Sequence, residues 1–405
     1  MSSVENTGKR IKEQFRKFTG TEALEEFSLV GLFSDVFRHH EMAEMERMFA
    51  VGTPGNVPAL EDVNTSWPRP WMFVRTLIGS GVIYGLFLLC WDVFENLNLL
   101  PGLILTGAMA IPLSTVLFFF EVNVRRNVSL YQVVRLLFLG GIVSLIFSLV
   151  LFALPFAALD WMGASVAGII EEPGKLLALL VVAKSVQYRY KLNGLLFGAC
   201  VGAGFAIFES MGYAFQILVS TEDIGEVTSN ILLRGVLSPF GHIAWTAIAG
   251  VALWRVKGTS PFKFSMLWDK RFLGLFSVSV VMHMIWNLGF ELPFYGKYAF
   301  IGFVSWTVVF SLVQEGIREI RTEKQELFLG VVREYFENDG VIDDDERREL
   351  EALAEKIGIE AATMERLIAS VSRCGQKGSV PFGQKGTVPA VLDQEGTVPV
   401  DQRGG

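Results

Sequence analysis

The sequence predicts an all-α, polytopic membrane protein: a bundle of about eight transmembrane helices with cytoplasmic helical extensions at both ends. Three observations predict it. Hydrophobic residues make up 51% of the 405 residues, charged ones only 19%, and Phe alone contributes 33. Mean hydropathy is +0.42. The apolar residues are gathered into stretches of about 20, the length needed to cross a bilayer as a helix. This composition argues against a disordered chain, a nucleic-acid-binding protein and a disulfide-stapled secreted scaffold. Three cysteines, Cys90, Cys200 and Cys374, are too few and too scattered for a disulfide framework or a zinc knuckle.

Four regions follow along the chain. Residues 1–70 form a polar head and linker. Ile11, Phe15 and Phe18 recur at helical spacing among Lys9, Arg10, Lys12, Arg16 and Lys17, which fits either a basic amphipathic helix on an anionic membrane or an ordinary surface helix. A second helix is expected over about 22–49, with Phe27, Val30, Leu32, Phe33, Val36 and Phe37 on its apolar face. His39 and His40 read as solvated surface residues. Gly, Pro and Asn from Gly52 to Pro70 mark a linker.

Residues 71–316 hold the membrane body. Its apolar stretches lie near 72–92, 100–120, 132–155, 161–184, 194–219, 232–254, 272–292 and 297–316. The loop charges alternate. One side takes Arg69 and Arg75, Arg125 and Arg126, Lys184, Arg189 and Lys191, then Arg255, Lys257, Lys263, Lys270 and Arg271, and finally Arg318, Arg321 and Lys324. The other takes Asp92, Glu95, Asp160, Glu222, Asp223, Glu226 and Glu291, with Lys297 as the exception. The positive-inside rule places both termini in the cytoplasm, in agreement with an even number of spans.

Residues 317–374 read as a cytoplasmic helical module with a possible partner of its own. Within it, Asp339, Gly340, Asp343 and Glu346 mimic part of a calcium-binding EF-hand loop, but Tyr335 would occupy the first ligand position. A turn followed by a helix capped by Asp343 or Asp344 is the simpler reading. The run that follows resembles a small all-helical tellurite-resistance-type module. Residues 375–405 repeat a Gly-Ser/Thr-Val-Pro unit and are expected to form a disordered tail.

Ionisable groups at membrane depth are costly and are functional candidates by default. The fourth stretch carries Glu171, Glu172 and Lys175, the fifth Glu209, the sixth His242 and the seventh His283. Each lies about ten residues from the end of its stretch on the acidic side, which at 1.5 Å per residue is one layer roughly 15 Å below that surface. A shared layer argues for a single buried constellation. Glu171 and Lys175 are i,i+4, the orientation suited to an ion pair on one helix face. Pro173 between them removes a helix hydrogen bond, so a kink is expected. Phe205, Tyr213, Thr246 and Asn287 each stand four residues from one of these groups. Such a set can hold a divalent metal such as zinc, activate water without one, relay protons or cations, or only glue helices together.

Glu171-Glu172-Pro173-Gly174-Lys175 resembles the EExxK motif of the PrsW family of intramembrane proteases. GAGFAIFESMGY (202–213), PFGHIAWTAIAG (239–250) and His283-Met284-Ile285-Trp286-Asn287 are similar to that family's three later motifs in order and spacing. The family is distantly related to the CAAX prenyl endopeptidases and their bacterial relatives, in which a His stands where this chain has Glu209. The resemblance implies an intramembrane endopeptidase, a metalloprotease in a bacterial inner membrane, that cuts a membrane-anchored protein such as an anti-sigma factor in a signalling cascade. It implies Glu171 or Glu172 as the general base, the other pairing with Lys175. Glu209, His242 and His283 would bind zinc or another divalent metal, or position the attacking water, and Asn287 would donate to the oxyanion. A CAAX-type peptidase with another substrate, and a non-catalytic membrane receptor or scaffold, are the alternatives.

Overall fold

The computed structural model describes residues 13–14, 16–20, 24, 27–154, 157–290 and 292–376, with no side-chain description for 157–160, 339 and 373–376. Contacts divide the chain into two units, 1–327 with 355–359, and 328–354 with the residues from 360 onward. The described residues are mostly helical, with no strand among them.

The first unit holds α1 (Met72–Phe94), α2 (Leu100–Val122), α3 (Leu130–Phe152), α4 (Val166–Ala183), α5 (Lys191–Thr221), α6 (Ile224–Leu237), α7 (His242–Lys257) and α8 (Lys270–Trp286). It also holds the first part of α9 (Gly296–Asp339). Six helical segments are long and apolar enough to cross a membrane: α1, α2 with the short turn before it, α3, α5, α6 with α7, and α9. The expected count of eight is therefore not reached. α4 puts three charged residues into 18 positions, and α8 is only 17 residues long. These two helices carry five of the candidate site residues (Asn287 caps α8); α4 falls short through its charged site groups and α8 through its length.

The sixth apolar stretch is not one helix. Pro239 has no N–H to donate and Gly241 adopts φ −113°, ψ −122°, so the chain breaks over Ser238–Gly241 and restarts at His242. His242 is thus the first residue of α7. A π-helical turn, Leu136–Gly140, interrupts α3 beside α5, while α4 remains helical through Pro173.

The core is the α5–α7 contact, and glycines allow it. Cβ atoms on Gly198, Gly202 and Gly250 would fall 2.1 Å from Thr246 O, 2.3 Å from His242 O and 2.1 Å from Gly194 O. Small residues four apart let two membrane helices approach to backbone contact, and Gly202 in this way seats the turn that presents His242. Gly198→Val is expected to destabilise the protein by at least about 1–3 kcal/mol, the cost of overpacking. Gly212→Ala, on the same helix with open space around its Cα, is the control. Thermal unfolding of both in detergent reads the difference.

Glu121, at the end of α2, accepts from the backbone N–H groups of Trp71 (2.8 Å), Met72 (2.9 Å) and Phe73 (3.0 Å). It satisfies the open donors at the start of α1 that no residue of α1 itself caps. Lys297, the exception in the loop charges, is buried and donates to Leu288 O (2.9 Å), beyond the end of α8.

The head departs from expectation. The helix read over 22–49 is a turn at Leu29–Leu32 and a separate helix at Met42–Phe49. Between them His40 is buried rather than solvated: Nε2 bonds Asp35 O (2.9 Å), Nδ1 bonds Glu44 (3.0 Å), and the ring stacks on Trp71. His39 is exposed, as expected. The His40 hydrogen bond also holds the Glu44 carboxyl below its ordinary range. Lys9, Arg10, Ile11, Lys12 and Phe15 lie outside the described residues, as does the repeat tail from 377 on.

In the second unit, Asp343 Oδ1 accepts from Asp345 N and Glu346 N, both at 2.8 Å, and Glu346 reaches back to Asp343 N (3.1 Å). This reciprocal cap opens α10 (Asp344–Ile357) and is followed by α11 (Ala361–Gln376). Asp343 and Glu346, two of the calcium-ligand candidates, are thus engaged in capping.

Candidate active site

Four helices deliver the ionisable groups to one place. From α4, Lys175 is fully buried; its Nζ lies 2.7 Å from Glu172 Oε1 and 3.4 Å from Glu171 Oε2. The same ammonium donates to His242 Nδ1 on α7 (2.8 Å) and sits 4.2 Å over the Phe205 ring of α5. From α8, His283 Nδ1 bonds Glu172 Oε1 (2.9 Å), and its Nε2 faces Glu171 Oε2 at 3.8 Å. His242 Nε2 bonds Glu209 Oε2 on α5 (3.1 Å). Trp245, one turn after His242, stacks on His283 (centroids 4.7 Å apart), and the two imidazoles stand 5.0 Å apart. The lone buried layer expected from the sequence is thus a connected network.

The two glutamates of the first motif differ. Glu172 has no exposed surface, holds both Lys175 and His283 through Oε1, and leaves Oε2 without a partner. Glu171 lines a cavity of about 730 Å³, together with Glu209, His242, His283 and Asn287. Trp245, Trp286, Tyr295 and Tyr298 form an aromatic part of its wall. Asn287 caps the end of α8, its N–H donating to His283 O (3.3 Å).

Arg234, on α6, was not among the residues singled out above. Its guanidinium pairs with Glu209, donates Nε–H to Ser210 Oγ (3.0 Å) and lies 4.4 Å over the Tyr213 ring. It is the one arginine within the sixth apolar stretch, and that was the available signal. Of the residues at i+4 spacing, Tyr213 therefore reaches the site through Arg234. Thr246 is fully buried beneath it with Oγ1 unpartnered.

The donor set suits a divalent metal. One ligand atom each from Glu171, His242 and His283 lie within 4.8 Å of one another. Each imidazole is oriented through its other nitrogen by a carboxylate, His283 by Glu172 and His242 by Glu209, the usual support of metal-binding histidines. Charge points the same way. Glu171, Glu172 and Glu209 face the two fixed cations Lys175 and Arg234, leaving a negative charge that a cation or a proton must balance in a low-dielectric setting. Lys175 Nζ lies against the His242 Nδ1 that such a cation would use.

Residues 128–313 match the model of the PrsW family, described as PrsW family intramembrane metalloprotease. The match spans α3 to α8 and the first part of α9 and contains all seven candidate site residues. Comparison with curated proteins and with solved structures finds no match. The resemblance read from the four motifs is thereby borne out: residues 128–313 are similar to the PrsW family, and the apolar helices make the chain an integral membrane protein.

Proposed function

We propose that the protein hydrolyses a peptide bond in a membrane-anchored protein, with Glu171 as the reacting carboxylate and Glu172 as the group that orients it. The observation that carries this reading is the asymmetry of the pair: Glu171 faces the cavity between the two histidines, while Glu172 is sealed against Lys175 and His283. Water held among Glu171, His242 and His283 gives a proton to Glu171 and attacks the scissile carbonyl. The oxyanion accepts a hydrogen bond from the Asn287 amide. Protonated Glu171 then returns the proton to the leaving amine. Glu209, braced by Arg234, holds His242 in one orientation. A divalent cation held by His242 and His283 would polarise both water and carbonyl, with Glu171 beside it left free as the base. In this reading Glu209 supports the site and is not a ligand.

The alternation of loop charge supports a reading in which α4 and α8 cross the membrane as well and both termini are cytoplasmic. The depth of the site suits a substrate cut within or near its own span. Release of a membrane-tethered signalling protein, such as an anti-sigma factor, is the cellular role that fits.

The test is metal content and cleavage of a membrane-anchored reporter by the purified protein in detergent, beside His283→Ala and Glu209→Gln. Metal at one equivalent, lost with His283 and kept with Glu209→Gln, is the expected result. Metal lost equally in both variants would restore Glu209 as a ligand. Absence of cleavage with intact, metal-loaded protein would overturn the enzyme reading in favour of a scaffold.

A further inference from the structure

A second cavity, of about 830 Å³, lies at the opposite, basic end of the helices. Four elements converge on it: the head (Lys17 to Gly20), the start of α5 (Lys191), the end of α7 (Arg255) and the first turns of α8 (Lys270 to Ser277), with Glu315 of α9 between them. Five of its lining residues are cations and one is a carboxylate. Glu315 is shared by Arg255 and Lys191 (3.1 Å to the latter). Arg271 pairs with Asp269 and Lys17 with Glu13, both pairs largely exposed. Among the described residues no carboxylate lies within ion-pair range of Lys270. Glu319 also accepts from the Lys191 N–H (2.8 Å); with Glu315, Glu319, Asp269 and Glu13 set against the five cations, positive charge is still in excess among the described residues.

The cavity is a built feature. Arg255 donates to the carbonyls of Thr19 and Gly20 (3.1 Å to the latter) and so ties the head to the end of α7. A Cβ on Gly274 would lie 2.4 Å from Phe18 O, so the head rests directly on α8. An independent observation sets the level at which it lies. In the turn before α8, Phe264 and Trp268 are 74% and 80% exposed, and Phe18 is 61% exposed. Exposed aromatics among Lys263, Lys270 and Arg271 are the pattern of a segment resting at the headgroup layer. A basic pocket between membrane helices at that level recognises phosphate on a lipid.

We propose that this pocket binds the phosphodiester of an anionic phospholipid, its acyl chains lying along the apolar surface at Phe18 and Leu273. The pocket is separate from the proposed catalytic cavity and does not depend on that assignment. Bound lipid would bridge head, α5, α7 and α8 and so stabilise the folded chain by mass action.

The experiment is thermal unfolding of the purified full chain in detergent, titrated with dioctanoyl phosphatidylglycerol, dioctanoyl phosphatidylcholine or inorganic phosphate. Phosphatidylglycerol is expected to raise the unfolding temperature, and the other two are not. In Lys17→Gln Lys270→Gln its apparent affinity is expected to fall by about tenfold or more, since each basic residue near a lipid surface contributes about 1 kcal/mol. Lys184→Gln, an exposed cation at the same end but outside the cavity, is expected to retain the response. An equal rise with phosphatidylcholine would overturn headgroup recognition. An equal rise with phosphate would assign the pocket to a soluble anion. An undiminished response in the double variant would place the lipid elsewhere.

Discussion

Glu171→Gln is expected to lower cleavage of a membrane-anchored reporter by about 10²–10⁴-fold, the range for removal of a positioned general base, while the protein still folds. The substitution is isosteric, and Glu171 faces a cavity with its nearest charged partner at 3.4 Å. No buried ion is therefore stranded by it. Glu172→Gln is expected to lose activity by a different route. That change releases both His283 and Lys175 from their shared Oε1 and lowers the unfolding temperature as well. Steady-state cleavage and thermal unfolding, measured on both variants, separate a reacting carboxylate from an orienting one. Glu171→Gln with wild-type cleavage, beside an inactive and stable Glu172→Gln, would reverse the two roles.

The all-α membrane class was legible in the sequence, and so was the grouping of ionisable residues in its apolar stretches. Glu171, Glu172, Lys175, Glu209, His242 and His283 stand out because charge is rare in apolar stretches, and rarity is a property of composition that needs no structure. The division of labour between Glu171 and Glu172 was not legible. Adjacent residues on a helix differ by about 100° in direction, and only the packing of α7 and α8 decides which faces the cavity. Glu209 pairs with Arg234 across helices, a contact that no i,i+4 rule reaches. Arg234 stands near the end of its stretch, where arginine is ordinarily interfacial, so its position alone does not mark it as a site residue. The break at Ser238–Gly241 was written in Pro239 and Gly241, yet uninterrupted hydropathy hid it. In the head, an apolar pattern over 22–49 suggested one helix, and the buried His40, by bonding Asp35 O and Glu44, fixes a turn there instead.

Lys175→Met is expected to destabilise the protein by about 3–5 kcal/mol, the usual result of stranding one member of a buried ion pair. Lys175 Nζ is the only cationic partner of Glu172 Oε1 among the described residues apart from His283, and Glu172 Oε2 already lacks a partner. Without the ammonium, a carboxylate with no exposed surface retains one imidazole N–H. Adding Glu172→Gln to Lys175→Met is then expected to recover most of the loss. The Gln carbonyl still accepts from His283 Nδ1, and the Met side chain still fills the space against the Phe205 ring. Unfolding of the two single variants and the double variant in mixed micelles closes the cycle. A double variant no more stable than Lys175→Met would show that the lysine acts through packing on Phe205 and His242. Recovery of stability without recovery of cleavage is the outcome that fits the proposed site. Charge balance between Lys175 and Glu172 keeps the helices together, whereas catalysis also needs a negatively charged Glu172 to hold His283 in the tautomer that leaves Nε2 free towards Glu171.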